Sequence, residues 1–412
     1  TIPLEANRET GLIADWTLPK YPGGDFKNLF HCGDNALMAY FSNAVPDALA
    51  SYVDSLTANG FALTNTHHLG ENDFYELTDG SHRYFVYYTA AYQEVRMIQD
   101  TSPDISWQTP QTGGAETALF TSLANDKAPY ILRLSDNSVI LFDGHVYSDR
   151  DQNAQLRTLY AELTDICGTD DIRITAWFIS HAHADHTNML NRLLTSTYAD
   201  HIQLERVICN VSSEADIIKI ADGGEGANDF TNYAAIVSNV SQYNQRTGEN
   251  AQIIKTHTGE IFDFCGVTFE TLYTHEDYLP RTYPIGGTFH GNGINSHSLV
   301  IRMQYNENTV IWTGDMSHES SDIVEKMYQD ALQCDVVQVG HHGNNTCGRV
   351  SFYLACNPEV LVWTWDLQSF QTYVLGMNRA GAQVYEALKD QVSRQLFLGG
   401  DTIQKLSLDS KI

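Results

Sequence analysis

The sixteen residues "TAWFISHAHADHTNML", Thr175 to Leu190, constrain this chain more than any other stretch. An apolar run, Ala176–Ile179, leads straight into His181, His183, Asp185 and His186. In an extended segment, residues two apart point the same way, so His181 and His183 can share one metal ion. Asp185 and His186 fall at the turn beyond the strand and can reach a second. Imidazole nitrogens and carboxylate oxygens suit zinc, which takes such ligands at roughly 2.0–2.2 Å. The alternative, a polar loop with surface histidines, does not account for the apolar lead-in together with the spacing.

The 412 residues exceed the usual ceiling for one hydrophobic core, so two domains are expected. With 42% apolar and 18% charged residues the composition is that of a globular protein. No apolar run approaches the roughly eighteen residues of a membrane-spanning helix. The formal net charge of −27 repels phosphate backbones at long range, so general nucleic-acid binding is not expected. The sequence begins at Thr1 without methionine or an apolar leader. A chain cut at its boundary and an exported chain with its signal removed both fit, so cytoplasmic and exported locations stay open. The seven cysteines, Cys32, Cys167, Cys209, Cys265, Cys334, Cys347 and Cys356, are odd in number, widely spaced and free of CxxC pairs. That pattern fits buried thiols better than a disulfide framework or a cysteine zinc cluster.

Residues 1 to about 35 read as irregular, with a turn at Tyr21–Gly24. "NALMAYF" predicts a strand. "VPDALASYVDSLTANG" predicts a helix with Pro46 in its first turn, apolar residues at Leu49, Tyr52, Val53 and Leu56, and a stop at Gly60. "FALTNTHH", "DFYELTDG" and "RYFVYYTAAYQEVRMIQD" follow as three strands of an antiparallel meander. A linker is expected within Thr101–Gly114, which divides the chain into a small α+β domain, 1–112, and a second domain, 113–412. In the second, strands alternate with helical stretches near 152–166, 187–197, 230–245, 319–332 and 379–393, which predicts α/β layering. The tyrosines Tyr84, Tyr87, Tyr88 and Tyr92 either line a ligand surface or alternate across the meander.

"HAHADH" matches the HxHxDH signature of the metallo-β-lactamase superfamily, and further segments resemble that family in the expected order. "SVILFDGH" is similar to its first strand pair, ending at Asp143. "NTVIWTGDM" is similar to the strand that delivers a metal-bridging aspartate, Asp315, and "DVVQVGHHG" to the last-ligand segment, with His341 and His342. The pattern "NSHSLVIRMQYNENTVIWTGD" most resembles the ComEC-like branch, which includes DNA-uptake-associated hydrolase domains and choline-phosphate esterases. Glycines common after the motif in that branch are replaced here by Thr187 and Asn188.

The resemblance implies an αββα sandwich and a dinuclear hydrolase. His181 and His183 would bind metal 1, Asp185 and His186 metal 2, and Asp315 both. His342 is favoured over His341 as the last ligand, leaving His341 to contact substrate oxygens or donate a proton. A third histidine for metal 1 is expected at His275, with His290 and His297 as alternatives. Asp143 is expected to orient a ligand histidine. The implied cofactors are two divalent ions, zinc first, with manganese or iron as alternatives. They would acidify a bridging water to a hydroxide nucleophile, with Asp185 or His341 passing a proton. A small-molecule or cell-wall-type phosphodiester is the expected substrate. A carboxylic ester, lactone or thioester is the second reading, and a non-catalytic metal-binding protein of the same fold the third.

Overall fold

The structure is a computed structural model and describes residues 16–33, 35–102, 119–122, 129–145, 151–214, 217, 226–282, 293–398 and 404–412. Among them, three sheets form. The first is antiparallel and runs in the order Asp25–His31, Ala36–Ser42, Glu94–Asp100, Arg83–Thr89, Asn72–Thr78, Ala62–Leu69. The helix Pro46–Ala58 covers one face, burying Leu49, Tyr52, Val53 and Leu56 as its apolar spacing predicts. Two local expectations are corrected. Asp25–His31 is a strand, hidden in the sequence because its register shifts between Phe26 and Asn28 and breaks the period-two alternation. "RYFVYYTAAYQEVRMIQD" is two strands, joined by a turn through Ala90–Gln93 that lacks glycine and proline, with Gln93 at φ 53°.

The other two sheets face one another. In one, Val139–Phe142, Ile172–Ile179, Arg206–Cys209 and Gln252–Lys255 run parallel, and Tyr130–Arg133 lies antiparallel beside Val139–Phe142. In the other, Val267–Tyr273, Val300–Tyr305 and Asn308–Trp312 are antiparallel, followed by the parallel strands Val336–Gln338, Val360–Trp363 and Arg394–Phe397. Phe142, Phe178 and Ile208 meet Phe269, Ile301 and Trp312 between the sheets, and Phe142 stacks on Trp312 at 4.3 Å. Helices Gln152–Cys167, Ala184–Leu194 and Gly226–Thr247 cover the outer face of the first. Helices His318–Tyr328, Val350–Cys356 and Ala380–Leu388 cover the second. These four layers form the αββα sandwich expected from the sequence. No helix among the described residues is long and apolar enough to cross a membrane. All seven cysteines are buried, and none is joined in a disulfide.

The N-terminal sheet packs on the same side as the second helical layer, in one shared core that includes Phe74, Phe85 and Tyr87 with Leu272, Tyr273 and Tyr328. Tyr84, Tyr87 and Tyr88 are therefore packing residues, and the Tyr92 ring lies under the Arg281 and Lys326 cations. Buried charges cross the seam. Arg83 donates to Asp100 at 2.8 Å and to Glu260 at 2.7 Å, and Tyr87 Oη donates to Asp277 at 2.9 Å. His257 Nδ1 lies 2.9 Å from Glu276 Oε1, and its Nε2 lies 3.3 Å from Asp100 Oδ2. The expected domain boundary near residue 112 falls outside the described residues.

Burial disfavours charge on His257, but Glu276 and Asp100 outweigh it and lift its pKa to about 9. The unfolded value is about 6.5, so this charge stabilises the fold fully below pH ~6.5, and the contribution is lost as pH rises through about 9. Across that window wild-type stability should fall relative to His257→Gln by up to about 3 kcal/mol. Denaturant titrations at both pH limits measure this, and parallel pH dependences would contradict it.

Candidate metal centre

The parallel strands Val139–Phe142 and Ile172–Ile179 end side by side, and both release polar residues at their C-terminal ends. Asp143, at φ 51°, accepts from Ser180 N at 2.7 Å and from Ser180 Oγ at 2.8 Å. From the facing sheet, Leu299 N donates to Ser180 O at 2.9 Å, which ties the two sheets together beside the site. His183 is the N-cap of the helix Ala184–Leu194, which places the Asp185 carboxylate in its first turn, where the helix dipole favours an anion.

Asp315 arrives from the strand Asn308–Trp312 through Gly314, at φ 52°. A Cβ on Gly314 would stand 2.5 Å from Ser180 Cβ, so only glycine fits this approach. Gln338 holds the turn, accepting from Thr313 N and Gly314 N and donating to Gly314 O, each at 3.0 Å. The neighbouring parallel strand Val336–Gln338 then delivers His341 and His342, both at positive φ.

Two groups of side chains result, and they share Asp315. In the first, His181 Nε2 lies 2.9 Å from His183 Nδ1 and 4.0 Å from Asp315 Oδ2. In the second, His186 Nε2 lies 3.2 Å from Asp315 Oδ2 and 3.9 Å from Asp185 Oδ1, while His342 Nε2 lies 3.4 Å from Asp185 Oδ2 and from Asp315 Oδ1. Ligand atoms on a tetrahedral ion with bonds of about 2.0–2.1 Å sit about 3.3 Å apart. The observed separations cluster around that value. Asp315 Oδ1 is buried yet completes no hydrogen bond, although buried carboxylate oxygens are normally satisfied. The donor set and this orphaned oxygen fit a pair of divalent cations.

The electrostatics differ between the two groups. Burial, reinforced by His186 and His183, holds the His181 pKa well below its ordinary value. His183 is lowered by burial as well, so both rings favour the neutral form that a metal needs. Burial favours the acid form of Asp315, but His186 and His342 hold it well below the usual carboxylate range. Burial also opposes charge on His186, where Asp315, Asp143 and Asp185 prevail and raise its pKa well above the ordinary value.

Further groups orient the inner ones. His186 Nδ1 lies 2.8 Å from Asp143 Oδ2, His342 Nδ1 lies 2.9 Å from Thr364 Oγ1, and His183 Nε2 lies 3.7 Å from Asp229 Oδ2. Sequence reasoning singled out Asp143 but not Ser180, Thr364 or Asp229. Asp229 comes from a distant helix with no motif around it, and no local signal marks it. Trp365 donates from Nε1 to His342 O at 2.6 Å and borders the centre, whereas Trp363 lies in the core. His341 stands beside the second group, its ring 6.4 Å from that of His342.

His275 is placed elsewhere. The strand Val267–Tyr273 stops two residues short of it, and His275 opens the helix His275–Thr282. Its potential ligand atoms group with Cys32 and Glu276 instead of His181 and His183. His297 Nδ1 lies 2.7 Å from Ser212 Oγ, and its ring is 5.5 Å from that of His275. His290 falls outside the described residues.

No family model matches the chain, and no curated protein matches it. Solved structures of similar arrangement carry low identity. The metallo-β-lactamase fold protein YhfI from Bacillus subtilis is 11% identical, with a TM-score of 0.38 over 70% of this chain and 100% of that one. Unliganded yeast PDE1 is 8% identical, with a TM-score of 0.40 over 70% and 99%. CmlA, a diiron β-hydroxylase from Streptomyces venezuelae, is 11% identical, with a TM-score of 0.39 over 72% of this chain and 55% of its own.

Asp143→Asn keeps the shape of the orienting group, and asparagine tolerates its positive φ. Loss of the charge behind His186 should weaken metal binding by about 10–100-fold. Competition with a chromophoric chelator measures this, and unchanged affinity would show that Asp143 serves folding alone.

Proposed function

We propose that this chain is a metal-dependent hydrolase of the metallo-β-lactamase superfamily, with two divalent ions, zinc first, acting on a small phosphodiester. The observation that carries this reading is the pair of ligand groups sharing Asp315 at separations suited to tetrahedral ions. His181 Nε2, His183 Nδ1 and Asp315 would hold one ion. Asp185, His186, His342 and Asp315 would hold the other. Bound together, two such ions acidify a water and offset negative charge on both the attacking and the leaving oxygens of an in-line displacement.

The chain's own groups would manage orientation and protons. His341 Nδ1 lies 2.9 Å from the Asn345 carbonyl oxygen, which favours the tautomer carrying its proton there. Its Nε2 is left to face the Asn295 amide at 3.2 Å and can exchange a proton with a leaving-group oxygen. Asp185, whose side chain is 24% exposed, is the other group able to pass a proton outward. The net charge of −27 disfavours a polyanionic substrate and leaves small or cell-wall-type diesters. The ComEC-like sequence pattern supports the diester over a carboxylic ester, lactone or thioester.

Protein reconstituted with Zn2+ should turn over bis(p-nitrophenyl) phosphate and lose that activity to a chelator. His183→Ala should lose one equivalent of metal and roughly 10³-fold in kcat/KM, several kcal/mol of transition-state stabilisation. Two bound ions with no turnover of the diester, but cleavage of a thioester or lactone, would move the substrate to the carboxylic class. Full activity and full metal content in His183→Ala would overturn the assignment of the centre.

A further inference from the structure

Away from this centre, Cys32, His275 and Glu276 meet at the seam between the N-terminal sheet and the sandwich. Cys32 follows the strand Asp25–His31, in a turn closed by Cys32 N donating to Ala36 O at 2.8 Å. His275 and Glu276 open the helix His275–Thr282. All three are fully buried, and one ligand-type atom of each lies within 4.8 Å of the others.

His275 is the anomaly that needs a cause. Its side chain has no exposure, and neither ring nitrogen completes a well-formed hydrogen bond, the Asn210 backbone giving it only a weak polar contact. Leaving a buried polar group unsatisfied costs about 1–3 kcal/mol. Burial, then Lys255, His297 and His257, push its pKa well below the ordinary value, and the Asn210 backbone offsets this only in part. A neutral imidazole offers one nitrogen lone pair to a ligand. Glu276 is held as metal-ligating carboxylates usually are, by outer partners: His257 Nδ1 at 2.9 Å and the Thr274 hydroxyl at 3.0 Å. Its oxygens keep further lone pairs.

We propose that Cys32, His275 and Glu276 form a third metal site, structural in role and suited to zinc, that clamps the N-terminal sheet to the sandwich. One sulfur, one nitrogen and one oxygen ligand suit zinc over magnesium or calcium, and a water completes the tetrahedron. Binding displaces the Cys32 thiol proton to solvent and leaves a thiolate. Lys255, whose ammonium sits against the Cys32 carbonyl oxygen, and the charged His257 beside Glu276 both oppose a cation here. The thiolate and the Glu276 carboxylate supply two negative charges against them. The site uses none of the residues assigned to hydrolysis.

The test loads metal-free full-length protein with Co2+, which absorbs in the near ultraviolet by charge transfer only when a thiolate is a ligand. Wild type should bind three ions and show the band. Cys32→Ala should lose the band and one ion and keep the other two, along with diester turnover. Absence of the band in wild type at saturating Co2+ would overturn the proposal without the need for a variant, and so would its persistence in Cys32→Ala. A wild-type protein that shows the band but binds only one ion would support this site and overturn the hydrolytic centre instead.

Discussion

The fold is organised around a carboxylate that water barely reaches. Asp315 is 2% exposed, and an ionised carboxylate in such a place costs several kcal/mol unless positive charge offsets it. The His186 and His342 imidazolium forms offset that charge, and a pair of divalent ions held by the same rings in their neutral form would take over that role. Much of the local architecture serves to bring these groups together. Gly314 lets the backbone pass against Ser180, Gln338 holds the turn that carries Asp315, and Asp143 fixes both Ser180 and His186. Strand ends from two facing sheets converge here, and the contact from Leu299 to Ser180 keeps them in register.

A second set of buried charges does comparable work at the seam with the N-terminal sheet. Arg83, Asp100, His257, Glu260 and Glu276 are all buried, and each has an opposite-charge partner within the network. Such a network contributes little net stability compared with an apolar interface, but removing any one member leaves a buried charge exposed to its full desolvation cost. That makes the relative placement of the two parts specific. His275 sits beside this network with no well-formed hydrogen bond of its own.

The parts legible in the sequence were those where local pattern and final environment coincide. The apolar strand before His181 and the helix Pro46–Ala58 follow from spacing, and the glycine before Asp315 from the resemblance carried by "NTVIWTGDM". The alternation of strands and helices predicted sheets covered by helices, and the resemblance to the metallo-β-lactamase family implied their αββα order. What escaped was set by tertiary contacts. The bulged strand Asp25–His31 has no clean alternation, and the turn at Ala90–Gln93 has no turn residue. Asp229 reaches His183 only because two helices pack together. At His275 a local signal existed. Thr274 precedes His-Glu-Asp, its hydroxyl accepts from Glu276 N at 3.2 Å, and a threonine followed by acidic residues is a helix-start pattern. Reading that cap would have ended the strand before His275 and turned the residue away from His181.

The central claim, that two ions share Asp315, is tested most directly by crystallising the zinc-loaded protein and mapping anomalous scattering at the zinc absorption edge. The account predicts two peaks with Asp315 between them, one bounded by His181 and His183, the other by Asp185, His186 and His342. A single peak, or none touching Asp315, would contradict it.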